Sequence, residues 1–292
     1  MVQRILIAGA SGGLGKTLYH ALHKRYEVLG TCFQHTQPHL QTLDLRDAEA
    51  TQKLLAEFKP DLLINTVAWT DVDGCERDLR QAFALNLETA LSIRLALASQ
   101  NCKLIHISTN DIFSGSEGPF TEDDRPDPVN IYARTKYMAE QLFADLPTAL
   151  ILRFTFLSWW TSGKTSFSRW LVQSLQQGQS VKLFKDQYNA PLYVGTLVEW
   201  LEQLWHLQGV YHLGSERRSR LETGLALAQA FNLNTDLIEA VSVHDSHLYA
   251  PRPLDVSLSA EKLRLATGLS ASFNTEIAKL AAALPDDLKQ KA

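Results

Sequence analysis

Several things are scarce in this chain, and each shortage excludes something. Among 292 residues there are three cysteines, Cys32, Cys75 and Cys102. None stands in Cys-x-x-Cys spacing, so neither a disulfide framework nor a metal site is expected, and a reducing compartment suits the chain. No block of lysine and arginine occurs, and the formal net charge is −4, which leaves no electrostatic case for nucleic acid. No uncharged apolar run reaches the roughly 18 residues that a membrane span needs. The first such run, Ile5-Leu6-Ile7-Ala8, is also too short for the core of a secretory signal. The expectation is a cytoplasmic protein without a membrane partner. What is present, 45% hydrophobic and 21% charged residues, is the composition of a globular protein large enough for one big domain and an appended lobe.

The first half alternates buried-strand runs with helical patterns. Strands are predicted at Ile5–Ala8, Glu27–Thr31, near Thr42-Leu43, at Asp61–Asn65, Lys103–Ile107 and Ala149–Leu152. Between them, helices are predicted over Leu14–Lys24, Asp47–Phe58 (N-capped by Asp47, stopped by Pro60), Ala82–Ser99 and Ile131–Phe143. Strands that read as unbroken apolar runs are buried on both faces, and repeated strand–helix–strand units pair in parallel with right-handed crossovers. The fold class is therefore α/β with a doubly wound parallel sheet. After Arg153 the pattern changes, with helices at Ser166–Gln176, Leu221–Phe231 and Glu276–Leu284 and one strand, Val210–Leu213, returning to the sheet. Residues 1–153, with 191–213 returning to them, form the expected main domain. Residues 154–190 and 214–292 form the expected smaller lobe, over the carboxyl edge where such sheets bind ligands.

Gly9-Ala10-Ser11-Gly12-Gly13-Leu14-Gly15 is a GxxGxxG loop between the first strand and the first helix. Gly9 permits a tight turn, Gly12 lets backbone approach a pyrophosphate, and Gly15 lets the helix pack close to the strand. The helix N-terminus offers N–H groups and positive potential to phosphates. In this placement the loop points to a dinucleotide, with Gly9, Ser11, Gly12, Gly13, Leu14 and Gly15 as its binding residues. The second strand ends in Thr31-Cys32-Phe33-Gln34-His35, with no acid to select a ribose 2′-hydroxyl, so the reading leans to NADP over NAD. Asp44, followed by Leu45, either accepts a bond from the adenine amino group or simply organises its loop.

Tyr132-Ala133-Arg134-Thr135-Lys136 is YxxxK. Alone the spacing is common, but on a helix it puts phenol and ammonium on one face, and this helix follows the strand that ends in Ser108-Thr109-Asn110-Asp111. Reducing a ketone takes a hydride to carbon and a proton to oxygen. Tyr132 can give the proton, provided that Lys136 and a cationic nicotinamide lower a phenol pKa of about 10. Thr109 can hydrogen-bond the carbonyl oxygen. Asn86 either holds a water that relays protons to Lys136 or stabilises a bend in its helix.

In these features the chain resembles the extended short-chain dehydrogenases, and within them the dTDP-4-dehydrorhamnose reductases. Ile64–Glu76 resembles the family's "INAAAYTxVDxxE" stretch and Ile107–Gly115 its "ISTDYVFDG". Glu122 with Pro126–Tyr132 resembles "YxExDxxxPxNxYGxTK", Asp186-Gln187 with Ala190-Pro191 "DQxGxPT", and Arg252-Pro253 with Ser257 and Lys262 "RPxxSxLxxxK". The resemblance implies a Rossmann-type fold with a C-terminal substrate-binding lobe and Thr109, Tyr132 and Lys136 as catalytic residues. It further implies a cofactor lined by Ala68, Thr70, Asn86, Tyr132 and Lys136, and a sugar-nucleotide substrate met by Thr109, Asp111, Tyr132 and Arg252. The implied partners are that small molecule and a second copy in a homodimer. The departures fall on the substrate side: Asn110-Asp111 stands where the family has Asp-Tyr, Phe154–Trp160 where it has "TSWVYG", and Leu192 where Thr is common. Arg252, between two prolines, suits a phosphate by its bidentate geometry or is a surface arginine in a rigid loop. Arg153 is expected in an internal ion pair, and Trp159 and Trp160 either stack on a ligand or belong to a core.

Two functions from different classes follow. The first is reduction of a 4-keto-6-deoxy sugar nucleotide, with another reductase or epimerase of the same triad beside it. The second is a catalytically silent NADP-binding regulatory subunit, like that of methionine adenosyltransferase, which resembles the same reductases.

Overall fold

The computed structural model describes residues 2–160 and 165–289; residues 161–164 and 290–292 of the expected lobe lie outside these. Six strands open the chain: β1 (Arg4–Ala8), β2 (Glu27–Cys32), β3 (Gln41–Thr42), β4 (Leu62–Asn65), β5 (Lys103–Ile107) and β6 (Ala149–Arg153). With the strand Gly209–His212 they make a seven-stranded sheet, in the order Gly209–His212, β6, β5, β4, β1, β2, β3. β1 to β6 pair in parallel. The order reverses at β1, whose neighbours are β2 on one side and β4 on the other. A reversal of this kind opens a crevice at the carboxyl ends of the strands, directly above the glycine loop.

The helices between are α1 (Gly13–Leu22), α2 (Ala48–Phe58), α3 (Val72–Arg77), α4 (Leu79–Phe83), α5 (Thr89–Leu97) and α6 (Ile131–Gln141). Asp47 caps α2 as expected, its carboxylate accepting from Ala50 N at 3.0 Å. The stop comes from Lys59 in the left-handed region at φ 50° just before Pro60. The single helix expected over Ala82–Ser99 is continuous, running from α4 through a π-helical turn, Ala84–Glu88, into α5. Ile5, Leu6 and Ile7 of β1 and Leu62, Leu63 and Ile64 of β4 are fully buried, each such side chain contributing about 2 kcal/mol.

The described chain divides into two compact units. The first takes in the residues up to Ile112, Pro128–Leu152 and Glu202–Val210; the second takes in Phe113–Asp127, Arg153–Leu201 and the residues from Tyr211 on. The main domain expected from sequence included 113–127 and all of 191–213, so the observed division differs there. The helix Val194–Leu204 within that stretch carries no expectation from the sequence reading. The second unit has its own core, in which Leu157, Leu171, Leu175, Leu183, Leu227, Phe273 and Leu280 pack together. Trp159 belongs to that core, donating to Leu280 O at 2.9 Å with its ring edge-on to Phe231. Arg153 is buried, its guanidinium over the Phe113 ring and 3.4 Å from His212 Nε2. Among the described residues no helix is long and apolar enough to cross a membrane.

Candidate active site

The glycine loop takes the shape its residues allow. Gly9 lies at φ +83°, where a side chain would be strained. Its N–H is 3.3 Å from Thr31 Oγ1, and its carbonyl accepts from Gly12 N at 3.0 Å. A Cβ on Gly15 would sit 2.3 Å from that carbonyl oxygen, so Gly15 is the contact that lets α1 meet β1. A Cβ on Gly12 would meet Gly9 O alone, at 3.3 Å, which leaves the loop's outer side open. Gly12 is also the N-cap of α1 and makes no side-chain cap, so the helix's first N–H groups are available to an anion.

A cavity of about 210 Å³ opens here, lined by Gly9, Ser11, Gly12, Phe33, Gln34, His35, Asp44, Leu45, Val67 and Ala68. Open glycine backbone, an uncapped helix start and a mainly apolar wall fit a dinucleotide. Of the other expected cofactor residues, Gly13 begins α1, Leu14 is buried under the loop, and Thr70 is exposed and off the cavity wall. Asp44 lines the cavity, but its carboxylate is engaged locally. It accepts from Arg46 N at 3.0 Å and from Arg46 Nη2 at 2.6 Å, and that guanidinium holds it below the usual carboxylate range. Its loop role is thus the one the hydrogen bonds describe. Arg46 is a residue the sequence reading passed over: its guanidinium stands 5.5 Å from the Phe33 ring centroid, beside the cavity. The signal was the Asp-x-Arg spacing after the second strand.

The catalytic candidates of this unit gather at the end of β5. Thr109 and Tyr132 are buried, 5% and 8% exposed. Lys136 is buried too, and its ammonium donates to Ile107 O at 2.7 Å. Burial draws the Lys136 pKa down to about 8, against a smaller upward pull from Glu140. Glu140 in turn accepts a short hydrogen bond from Ser108. Without a nicotinamide beside it, the Tyr132 phenol lies above its ordinary pKa: burial raises it, the Asp111 carboxylate raises it further, and Thr109 opposes through a hydrogen bond. Desolvation outweighs any help from Lys136, whose ammonium is turned to a backbone carbonyl.

Asn86 lies in the π-helical turn and is 2% exposed. Its Oδ1 accepts from Trp69 N at 2.6 Å, while Nδ2 donates to Trp69 O at 3.3 Å and to Thr135 Oγ1 at 3.0 Å. Asn86 thus ties the loop carrying Ala68 to the helix carrying Tyr132. In the second unit, Arg252 is half-buried and donates to Ala250 O at 2.9 Å, and Glu122 accepts from His212 N at 2.7 Å.

Comparison with known proteins gives a consistent result. The family model described as "RmlD substrate binding domain" matches residues 3–285. A probable low-salt glycan biosynthesis reductase of Haloferax volcanii is 29% identical over 96% of this chain and 98% of its own. The methionine adenosyltransferase 2 subunit beta of Xenopus tropicalis is 29% identical over 94% of this chain and 86% of its own. Among solved structures, the dTDP-4-dehydrorhamnose reductase of Bacillus anthracis, in complex with NADP, superposes with a TM-score of 0.87 at 26% identity, covering 97% of this chain and all of that one.

Proposed function

Since the chain belongs to the RmlD substrate binding domain family, a family of sugar-nucleotide reductases, we propose that it reduces the ketone of a 4-keto-6-deoxy sugar nucleotide. The observation that carries this reading is the cluster of Thr109, Tyr132 and Lys136 at the end of β5, in the same unit as a cavity shaped for a dinucleotide. A bound reduced nicotinamide dinucleotide supplies the hydride. Gly9, Ser11 and Gly12 hold its pyrophosphate at the start of α1, with Ala68 and Leu45 on the walls. Thr109 hydrogen-bonds the substrate carbonyl, and Tyr132 delivers the proton to that oxygen. Lys136, four residues beyond Tyr132 on α6, would hold the nicotinamide ribose of the bound cofactor. Asn86 acts through the loop and helix that it ties together.

NADPH is the favoured cofactor in this reading, supported by the lack of an acid at the end of β2 and by the Arg46 cation beside Phe33. The second unit is the substrate lobe, with Arg252 as its cation for the diphosphate. The test is mass spectrometry of ligands carried through purification, followed by NADPH oxidation against a panel of keto-sugar nucleotides.

The similarity to a methionine adenosyltransferase beta subunit supports a second reading, a silent NADP-binding regulator. Under it, no keto-sugar is reduced while NADP(H) binds tightly and a partner protein co-purifies. The intact set of hydroxyl, phenol and ammonium favours the enzyme.

A further inference from the structure

Tyr132, Lys136 and Glu140 follow one another at four-residue spacing, which sets them in one row along α6. All three are buried, at 8%, 2% and 1% exposed. Two members of the row grip consecutive residues where β5 ends. The Lys136 ammonium donates to Ile107 O at 2.7 Å, and the Glu140 carboxylate accepts a short hydrogen bond from the Ser108 hydroxyl. Thr109 is the next residue along. The row therefore ends in a buried carboxylate that has no part in delivering hydride or proton, yet is fixed to the strand that presents Thr109 and lies one helical turn beyond Lys136.

A carbonyl oxygen is a dipole, and a buried ammonium needs an opposite charge to stay charged. The other titratable groups around the row are placed differently. His106 of β5 stays neutral, because burial and the Lys136 charge hold its pKa well below the ordinary value. The Cys75 thiol of α3, packed with Tyr132, is pushed up to about 12, and burial raises the phenol too. Glu76 of α3 is engaged at the start of α6, where it accepts from Ile131 N at 3.0 Å. The Asp111 charge acts on the phenol. Glu140 is the carboxylate that opposes the loss of the Lys136 proton, and the Ser108 hydroxyl stabilises it as the anion. We propose that Glu140 is a positioning residue of this site, whose carboxylate keeps the Lys136 ammonium charged inside the protein and so preserves its hold on the cofactor's nicotinamide ribose into alkaline pH. Glu140 touches neither cofactor nor substrate and acts through Lys136 alone.

The inference rests on the reading of Lys136 as the ribose ligand, and the experiment separates it from the reductase reading. NADPH affinity of the full chain is measured by calorimetry from pH 6.5 to pH 10, and reduction of a dTDP-linked 4-keto-6-deoxyhexose is followed in parallel. In the parent, affinity falls with rising pH as Lys136 loses its proton. Glu140→Gln keeps the shape and an oxygen for Ser108 but not the charge, so this fall moves down by about 1 pH unit. The variant's deficit against the parent is therefore larger at pH 8 than at pH 6.5, whereas a packing fault alone would cost the same at both. Glu140→Asp, which keeps the charge, restores part of the shift. If Glu140→Gln does not fold, Glu140→Met combined with Ser108→Ala removes the charge without stranding a donor and carries the same expectation. A fall that stays at the parent's pH, or that moves as far in Glu140→Asp as in Glu140→Gln, overturns the role of Glu140. So does a parent whose affinity does not change with pH. A parent that shows the expected binding profile but reduces no keto sugar overturns the reductase and leaves Glu140 in its role.

Discussion

Gly12 and Gly15 stand three residues apart in one loop, yet the geometry assigns them opposite liabilities. A methyl group at Gly15 would lie 2.3 Å from Gly9 O, 2.8 Å from Gly9 C and 2.8 Å from Thr66 Oγ1. Ordinary contact is about 3.5 Å or more, so the shortfall is about 1 Å, against backbone pinned by the Gly12 N–H at 3.0 Å and the Thr66 hydroxyl at 3.3 Å. The helix has to back away from β1. Overpacking of this kind costs about 1–3 kcal/mol, and at about 2–4 °C per kcal/mol for a chain approaching this size, Gly15→Ala should lower Tm by roughly 2–12 °C. Gly12→Val adds atoms on the open side of the loop, where Gly9 O alone is near. Its Tm should stay within about 2 °C of the parent, while NADPH affinity falls at least ten-fold, or about 1.4 kcal/mol. Thermal melts and calorimetry read the two effects separately. If Gly15→Ala melts with the parent, the helix does not depend on that contact. If Gly12→Val binds NADPH as the parent does, the loop is not the pyrophosphate site.

Tyr132→Phe should leave cofactor binding nearly unchanged and lower turnover about 10²–10⁴-fold, whereas Thr109→Val should cost one hydrogen bond, about 1–3 kcal/mol of transition-state stabilisation; steady-state kinetics distinguish them. Lys136 has a folded-state pKa of about 8, below its ordinary 10.5, so the cost of its buried charge is fully present below pH 8 and is shed as pH rises towards 10.5. The gap in urea-unfolding stability between the parent and Lys136→Met should therefore shift in the parent's favour by about 1–3 kcal/mol between pH 7.5 and 10, and a constant gap would refute the buried ammonium. Phe33→Asp should move cofactor preference towards NADH, because a carboxylate there repels a 2′-phosphate; a parent that already binds NADH much more tightly would refute the NADP lean.

The main sheet was legible because β1, β4 and β6 hold unbroken apolar runs bounded by turn residues, and β5 departs from that only at His106, a pattern that buried parallel strands impose on sequence. The glycine loop and the Tyr132–Lys136 pair were legible because both depend on spacing within one element. Asn86 was ambiguous, since its partners Trp69 and Thr135 are 17 and 49 residues away and no local pattern announces them. The phenol's surroundings were not legible: sequence supplies the lysine but not the burial that dominates the phenol in the cofactor-free chain. In the second unit, strands such as Thr155–Leu157 and Val181–Phe184 are three and four residues long, too short for an alternation to register.

The π-helical turn at Ala84–Glu88 sets how this chain aligns with any sequence that lacks such a turn. Such a turn holds one residue more than the α-helical turn it replaces, so everything beyond it is rotated by about 100° relative to everything before it. A sequence lacking that one residue would still form a continuous helix, but it could not present both Asn86 to the backbone of Trp69 and the buried face of Ala90, Ile93 and Ala96 to the sheet. The natural position for a single-residue gap is therefore the middle of a helix. An alignment that permits gaps only in loops would put either the clamp or the core face out of step.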